Sequence, residues 1–387
     1  MRDEFPPIHE DPPLPRPKIG RFTLPLFVAE WAQMLNEVPP VRLFAIATFT
    51  PLGLLALGAL FGGIFPWIAL FYITIFTAMM DWGIAKAFPD APEDAEFPTA
   101  DALSVKLACG HFAALLLAVY ALSGGTDIGG MAKLGVFLGF GLFFGQVSNA
   151  NAHELIHRGD KRLFSLGMWV YISLLFGHHT SAHRLVHHRF VATPDDPNTA
   201  QLGESFYAFF PRAWIGSFTA GFEMEEARRK GKSGAARINP YYIYVLGGFG
   251  WIIGIGALMG MNGVIAYLAV IAYAQIQLTL SDYVQHYGLE RKQTAMDVYE
   301  PVNARHSWDA REPMSSLWMM NAPRHSDHHA HPTREYPALA LGEIGAGRPI
   351  LPRSLPSMAA LALFPPLWRR IMDRRVLALR AVAAQTD

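Results

Sequence analysis

Long apolar runs dominate the pattern of hydrophobic and polar positions along the chain. Six of these runs can cross a hydrocarbon core of about 30 Å, because an α-helix rises about 1.5 Å per residue. They are Leu43–Phe61, Ile64–Met80, Leu103–Leu122, Leu134–Ala152, Tyr241–Met261 and Val264–Leu280. The pattern therefore predicts an all-α integral membrane protein with six transmembrane helices.

Basic residues are unevenly distributed among the connections. Three turns are almost free of them, Lys133 being the one nearby: Gly62–Gly63, Ser123–Gly130 and Asn262–Gly263. Nearly all other Lys and Arg residues lie in the N-terminal arm, after Met80, between the fourth and fifth runs, and after Glu290. Because basic connections face the cytoplasm, we expect these four segments and both termini on that side.

The polar segments complete one predicted domain, residues 1–387. It consists of an N-terminal cytosolic arm (1–40), four transmembrane helices (43–152), a cytosolic His-rich segment (153–240), two more transmembrane helices (241–286) and a cytosolic His-rich C-terminal segment (287–387). The short apolar segment Leu163–Phe176 is interpreted as re-entrant or interfacial, and Leu355–Leu379 as an amphipathic surface helix.

Composition excludes several classes of protein. With 51% hydrophobic and 17% charged residues, the chain is too apolar for an ordinary soluble domain. Its single cysteine, Cys109, excludes an intramolecular disulfide and a cysteine-ligated iron–sulfur centre of its own. No G-x-G-x-x-G follows a predicted strand, so no dinucleotide domain is indicated, and we expect no nucleic-acid partner.

Glycines recur four residues apart within the spans, a spacing that lets transmembrane helices pack closely. The pairs are Gly135/Gly139, Gly141/Gly145, Gly250/Gly254 and Gly256/Gly260.

Candidate metal ligands occur in four histidine clusters. "HELIH", with His153 and His157, is the H-E-x-x-H pattern that can hold zinc and a catalytic glutamate. Spacings of three and four place side chains on one helix face, and the predicted topology delivers all four clusters to the cytoplasmic side. The candidate ligands are His153, His157, His183, His187, His188, His286, His325, His328 and His329.

The number of histidines distinguishes a site for one zinc ion from a site for two redox-active ions. A catalytic zinc site needs three protein ligands and an open position, so a zinc intramembrane protease would leave most of these histidines unused. Nine imidazoles can hold two ions, and a redox-active pair can activate dioxygen, which zinc cannot. Imidazole without thiolate suits iron, with copper and manganese left open. A metal carrier or haem-binding protein without catalysis is the third alternative.

The motifs "HELIHR", "HRLVHHRFVATPDDP", "DYVQHYGLER" and "RHSDHHAHPTREYPAL" resemble the signatures of the membrane-bound alkane 1-monooxygenases. These enzymes belong to the integral-membrane fatty-acid desaturase and hydroxylase superfamily. The resemblance runs from about Asp81 to Asp373 and includes "MMDWGIAKAFPDAPED", "GESFYAF" and "RHSWD".

The resemblance implies a membrane-bound hydroxylase in the bacterial inner membrane. Its six helices would enclose a hydrophobic substrate channel, capped by a cytosolic histidine-rich domain in which the nine histidines hold two iron ions. It also implies that one oxygen atom of O2 enters the terminal methyl group of an alkane, giving a primary alcohol. Rubredoxin, reduced by a flavin-dependent reductase, would supply electrons. Related enzymes that act on aromatic methyl groups or fatty acyl chains remain alternatives.

Acidic residues beside the ligands are candidates to accept the free ring N–H groups of the histidines. The candidates are Asp195, Asp196, Asp282 and Asp327, with His178 as a further polar neighbour. Prolines flank Asp195 and Asp196, so a turn-forming role is the alternative for that pair. We expect Glu154 to support or pack against the ligands rather than act as a base.

Two positions depart from the family pattern: Ala182 and Gln285 stand where acidic residues are expected before His183 and His286. Both changes remove charge beside the ligands.

A basic cluster suits a small acidic electron carrier. It consists of Arg228, Arg229, Lys230 and Lys232. The alternative is that these charges fix the topology or contact anionic lipid.

Overall fold

The computed structural model describes residues 38–83, 90–92, 94–296, 298–345 and 347–385. The predicted cytosolic arm therefore lies outside the described residues except at its end, as does part of the "MMDWGIAKAFPDAPED" motif. All described helices belong to the unit Pro40–Asp387.

The first four predicted spans correspond to four long apolar helices. They are α1 (Pro40–Phe61), α2 (Phe65–Gly83), α3 (Ala100–Ser123) and α4 (Gly130–Ile156). π-helical turns, which are wider than α-helical turns because their hydrogen bonds join residues five apart, interrupt α2 at Tyr72–Phe76 and α4 at Phe144–Ser148. The helix α4 extends four residues beyond the predicted end at Ala152. His153 therefore lies on the polar end of the same helix that crosses the apolar core.

Helix α5 (Lys161–Ser173) begins where the Asp160 carboxylate accepts the backbone N–H groups of Arg162 and Leu163, at 2.7 and 3.0 Å. Its 13 residues span about 20 Å, which is shorter than a hydrocarbon core. A buried histidine, His111, ties it to the spans, because its ring lies 3.0 Å from Ser148 Oγ and 2.8 Å from Ser173 Oγ. The predicted re-entrant or interfacial segment is thus a short helix bound to α3 and α4.

Two α-helices and a 3₁₀-helix, Gly234–Arg237, follow before the last apolar segment. The two α-helices are α6 (residues 179–190), which contains a wide turn at His183–His187, and α7 (Phe206–Arg229).

The fifth and sixth predicted runs lie in one 46-residue helical element, α8 (Tyr241–His286). It is interrupted at Gly260, where φ is 67° and ψ is −167°. A Cβ placed on Gly263 would lie 3.6 Å from the carbonyl oxygen of Ile255, although residues eight apart in a continuous helix are about 12 Å apart. The chain therefore reverses direction at Gly260, near the predicted turn, and the described residues contain five long apolar helical elements.

The C-terminal segment contains a two-stranded antiparallel hairpin and four helices. These are β1 (Gln293–Ala295), β2 (Val298–Tyr299), α9 (Pro313–Trp318), α10 (His325–Ala330), α11 (Leu355–Ala362) and α12 (Pro365–Gln385).

The predicted single helix Leu355–Leu379 is two helices, because Pro365 and Pro366 start a new one. The apolar face of α12 is fully buried at Trp368, Met372 and Val376. It packs on the protein beside the end of α8, where the Tyr287 hydroxyl donates to Asp373 at 2.5 Å.

Acidic side chains attach the C-terminal segment to the end of α2 and to the residues that follow it. The Asp81 carboxylate accepts the backbone N–H groups of Met314 and Ser315, at 2.7 and 3.1 Å. Asp90 receives Arg324 at 2.8 Å and the backbone of Gly342 at 2.7 Å. These bonds fix the region from which α10 projects.

The predicted glycine packing holds on α4 but fails on the first half of α8. A Cβ on Gly145 would lie 2.5 Å from Gln277 Cβ and 2.6 Å from the carbonyl oxygen of Ala274. By contrast, Gly250 and Gly254 have nothing within 4 Å of such an atom. They border a groove of about 270 Å³ lined with apolar side chains, including Trp169 and Trp251, so none of the described helices packs on them.

We expect Gly145→Ala to destabilise the protein by about 1–3 kcal/mol, because the backbone of Ala274 cannot move aside as a side chain could. Gly254→Ala is the matched control, since it makes the same change of helix propensity in open space. Thermal unfolding of detergent-solubilised protein should show a lower midpoint for Gly145→Ala alone. Equal midpoints for the two variants would contradict the close contact between α4 and α8.

Candidate metal centre

Nine histidines converge in two groups at the ends of α4 and α8. The first group is His153, His157, His183, His188 and His328, and the second is His187, His286, His325 and His329. Within each group, one ring nitrogen from each residue lies within 4.8 Å of all the others. These nine residues are the ligands predicted from the sequence.

In the first group the Nε2 atoms face each other at short distances. The distance is 2.7 Å from His153 to His183, 2.9 Å from His183 to His188, and 3.0 Å from His188 to His328. These four rings come from α4, α6 and α10, so three distant segments meet at one point.

The wide turn in α6 decides how its histidines divide between the groups. The His188 N–H donates to the carbonyl of His183, five residues back, which places those two rings on one side of the helix. His187 turns towards the second group instead. His183, His187 and His188 all lie on the inner face of α6, as the spacing predicted, and the rings of His183 and His187 have their centroids 5.1 Å apart. The sequence analysis did not predict that they divide between the two groups.

The second group joins the end of α8 to α10. The Nε2 atom of His325 lies 3.0 Å from that of His286 and 3.1 Å from that of His329. The two groups abut, since the rings of His188 and His329 have their centroids 4.5 Å apart. Helices α6 and α10 each contribute to both groups.

Hydrogen bonds cannot account for this arrangement. A ring nitrogen has one in-plane position, for either a proton or a lone pair, yet the Nε2 atom of His183 faces two other Nε2 atoms. Within the described part of the chain, the buried Nε2 atoms of His157 and His187 have no hydrogen-bond partner. A cation in each group would satisfy these nitrogens.

The spacing also indicates the coordination geometry. Two nitrogens bound at about 2.1 Å lie about 3.0 Å apart at a right angle and about 3.4 Å apart at a tetrahedral angle. The observed Nε2 distances of 2.7 to 3.1 Å match the right angle. The first group, with five imidazoles, exceeds the four ligands of a tetrahedral zinc site, whereas the second group has four.

Burial keeps most of these rings neutral. Loss of hydration, followed by repulsion from neighbouring imidazoles, lowers the pKa well below its usual value for His183, His188, His325, His328 and His329. Neutral rings keep the nitrogen lone pairs that a metal ion requires.

The family model described as fatty acid desaturase matches residues 130–359, which include all nine histidines. The chain belongs to the fatty acid desaturase family.

Curated relatives are monooxygenases. The chain is 37% identical over 232 residues to "Alkane 1-monooxygenase" of Acinetobacter baylyi, covering 58% of this chain and 55% of that protein, or about half its length. It is 29% identical over 336 residues to "Alkane 1-monooxygenase 2" of Pseudomonas aeruginosa, covering 84% and 88%. A more distant relative is the "Xylene/toluene monooxygenase hydroxylase component" of Pseudomonas putida, 28% identical over 56% of this chain and 57% of that protein. The predicted family relationship is confirmed, and the similarity supports an oxidoreductase of the monooxygenase type.

Asp196 makes a direct hydrogen bond to one of the nine histidines. Its carboxylate accepts the His187 Nδ1 proton at 2.8 Å and the Thr199 hydroxyl at 2.7 Å. Burial disfavours charge on both members of the pair, but their attraction outweighs it, raising the pKa of His187 and lowering that of Asp196. The bond fixes the proton on Nδ1 and turns Nε2 towards the second group. The Asp282 carboxylate is further from the histidines than that of Asp196, and it accepts a hydrogen bond from Asn198 Nδ2 at 2.9 Å.

The other three predicted neighbours lie elsewhere. Asp195 is exposed, and Asp327 binds Arg334 at 2.7 Å and His331 at 2.8 Å. The ring of His178 packs against Trp214, with Nε2 3.4 Å from Ser217 Oγ. Among the described residues none of the three has a hydrogen bond to one of the nine histidines. Asp327 faces away because it lies between His325 and His328 on a helix whose ligand face points inward.

Glu154 is occupied by other partners. Its carboxylate lies 2.7 Å from Arg158 and accepts the Tyr336 N–H at 3.2 Å. It therefore binds α4 to the C-terminal segment and is not placed as the free base of a zinc protease.

Two residues of the "RHSWD" motif support the ligands, and the sequence analysis did not identify them as site residues. The buried Asp309 carboxylate accepts the N–H and hydroxyl of Ser326, at 2.8 and 2.5 Å, and so fixes the start of α10. The carbonyl oxygen of His306 lies 3.3 Å from His286 Nδ1. The resemblance had included this motif, so the signal was present, but spacing alone did not connect it to the histidines.

The two departures from the family pattern fill other roles. Ala182 lies 3.0 Å from the position of a Cβ on Gly221 and leaves room for α7. The Gln285 amide donates to the carbonyl of Ala322 at 3.0 Å.

The basic cluster is only partly available to a partner. Arg228, Lys230 and Lys232 are exposed. Arg229 instead pairs with the buried Glu225 and donates to the carbonyl of Ile238 at 2.8 Å.

We expect Asp196→Asn to weaken metal binding by about 10- to 100-fold, because it removes the charge that orients His187. Asp195→Asn is the matched control, since that neighbouring carboxylate is exposed. Metal retained by purified protein should be measured by elemental analysis against increasing chelator. Equal retention in both variants would show that the Asp196 contact does not support a metal ligand.

Proposed function

We propose that this protein is a non-haem di-iron monooxygenase that hydroxylates the terminal methyl group of alkanes. The single observation that carries the proposal is the pair of abutting groups of five and four imidazoles in a chain of the fatty acid desaturase family. The alkane monooxygenases among its relatives supply the substrate class.

Iron is the metal that the donor set favours. Neutral imidazoles without thiolates suit iron, and ligand pairs near a right angle disfavour tetrahedral zinc. Two iron ions held by the two groups would supply the reduction of dioxygen and the oxidation of an unactivated C–H bond. The overall reaction consumes the alkane, O2, two electrons and two protons, and it yields the primary alcohol and water.

The protein's own residues would position the ligands and exclude water. The nine rings are buried or nearly so, and Asp196 and the His306 carbonyl hold two of them in one orientation. A dry site protects a strong oxidant from side reactions with solvent. The apolar helices above the centre would receive a hydrocarbon chain.

The proposed topology has six membrane crossings, with both termini and the metal centre on the cytoplasmic side of a bacterial inner membrane. The reversal of α8 at Gly260 supports two crossings in that element. Large apolar side chains exposed near this turn, such as Leu258 and Met261, would face lipid.

Electrons would come from rubredoxin and its reductase. The chain has one cysteine, and that cysteine lies on the apolar helix α3, so it offers no thiolate set for an iron–sulfur carrier of its own.

A second candidate substrate class is the methyl group of aromatic hydrocarbons. The relative named as a xylene/toluene monooxygenase component favours it, since that protein is 28% identical to this chain. Fatty acyl chains are a further candidate through the family description. A zinc protease is disfavoured because Glu154 is paired with Arg158. A metal carrier without catalysis would consume no oxygen with hydrocarbon.

Purified protein should be supplied with rubredoxin, its reductase, ¹⁸O2 and a mixture of alkanes and methylarenes. We expect primary alcohols that contain one labelled oxygen, identified by mass spectrometry, and two iron ions per chain. Aryl methanols as the main products would select the aromatic candidate. No labelled product from any hydrocarbon would overturn the proposal.

The variants His286→Ala and His329→Ala should lose activity to background, because each removes a ligand of the second group. His178→Ala is the control, since that buried histidine is outside both groups. A zinc protease that used only the "HELIH" pair would survive both ligand substitutions.

A further inference from the structure

The outer face of α6 is basic, although its inner face carries three of the nine histidines. Arg184 and Arg189 are exposed and alternate with the inward-facing His183 and His188. Their guanidinium groups lie over the rings of Phe164 and Phe190, each 4.9 Å from the ring centroid. Stacking of this kind holds a guanidinium in place without neutralising it.

These charges continue into neighbouring segments. Arg291, after the end of α8, donates to the carbonyl of Arg189 at 2.9 Å and to that of Glu300 at 2.7 Å. The guanidinium of Arg228 lies within electrostatic range of Arg184, so these two side chains share one region. We name Arg184, Arg189, Arg228 and Arg291 the cationic belt.

The cationic belt remains positive because few acidic groups oppose it. Among the described residues, Arg184 and Arg189 have no carboxylate within ion-pair distance, although Glu225 attracts Arg184 from further away. Arg291 donates to carbonyls and is attracted by Glu300. Arg228 lies 3.9 Å from Glu225, but that carboxylate already pairs with Arg229. A surface of this kind attracts an acidic partner and accelerates its encounter.

The cationic belt also lies close to the metal centre. Arg189 follows His188 directly in the chain, and successive side chains on a helix point about 100° apart around a cylinder about 10 Å across. A redox protein seated on this face would be separated from the first group by about that thickness. The predicted cluster around Lys230 and Lys232 lies beyond the end of α7, further along the chain from any histidine.

We propose that the cationic belt is the docking surface for a small acidic one-electron carrier protein, an inference that rests on the proposed function. Two reduced carriers would each give up one electron in turn. Together with two protons, O2 and the alkane, they would yield two oxidised carriers, the alcohol and water. Charge complementarity selects a protein carrier with an acidic face around its redox centre.

The test is charge reversal with reduced rubredoxin as the probe. In Arg184→Glu/Arg189→Glu, we expect the KM for rubredoxin to rise by about tenfold or more at low salt, because attraction becomes repulsion. The KM for alkane and the iron content should stay unchanged. Arg184→Lys/Arg189→Lys should restore most of the affinity, which a purely structural defect would not allow.

The matched control is Arg369→Glu/Arg370→Glu, which makes the same charge change on the exposed side of α12. It should leave the KM for rubredoxin unchanged. The inference is overturned if reversal at α6 leaves this KM unchanged, or if only Lys230→Glu/Lys232→Glu raises it. It is also overturned if the α6 variant loses only its binding to phosphatidylglycerol vesicles, because the belt would then contact lipid.

A chemical reductant separates this inference from the proposed function. With dithionite and a viologen mediator, wild type and the α6 variant should form equal amounts of alcohol in a single turnover. If wild type forms none with either donor, the proposed function fails. If it forms alcohol with both donors and reversal has no effect, only the docking surface fails.

Discussion

The structure depends on the convergence of neutral imidazole lone pairs at two neighbouring points. Nitrogens 2.7 to 3.1 Å apart repel one another, and burial deprives them of water as an alternative partner. Only a cation makes this arrangement favourable. Because α4, α6, α8 and α10 all supply rings, a bound ion would join the ends of two apolar helices to a C-terminal segment far away in the chain. Metal binding and the final packing of that segment are therefore coupled.

Most carboxylates near the centre position backbone rather than imidazole rings. Helix α10 has six residues, too few to be stable by itself, yet it supplies three rings. Asp309 fixes its first turn through Ser326, and Asp327 in the same turn binds Arg334 and the backbone of Ala340. Asp196 is the exception, since it holds His187 directly. The acidic residues thus keep short elements rigid, and rigid elements place the nitrogens.

Sequence reasoning predicted the apolar helices and all nine histidines, because hydropathy and residue type are local properties. It did not predict how the rings divide, since that depends on the wide turn at His183–His187, and no side chain there marks a departure from 3.6 residues per turn. It also expected close packing at Gly250 and Gly254, where the structure has a groove. Small residues permit contact, but only the tertiary arrangement determines whether a partner is present. The role of Asp309 required knowledge of a contact across seventeen residues.

The balance of charge around the centre connects its two faces. Nine neutral ligands contribute no negative charge, and Asp196 is the one carboxylate described in direct contact with a ligand ring. Positive charge in the two groups would therefore be weakly neutralised, which favours the lower oxidation state, because each added electron reduces that charge. A centre of this kind would accept electrons readily. The basic outer face of α6 adds positive electrostatic potential, which also favours the lower oxidation state. One helix would thus attract an acidic donor on one side and hold the acceptor on the other.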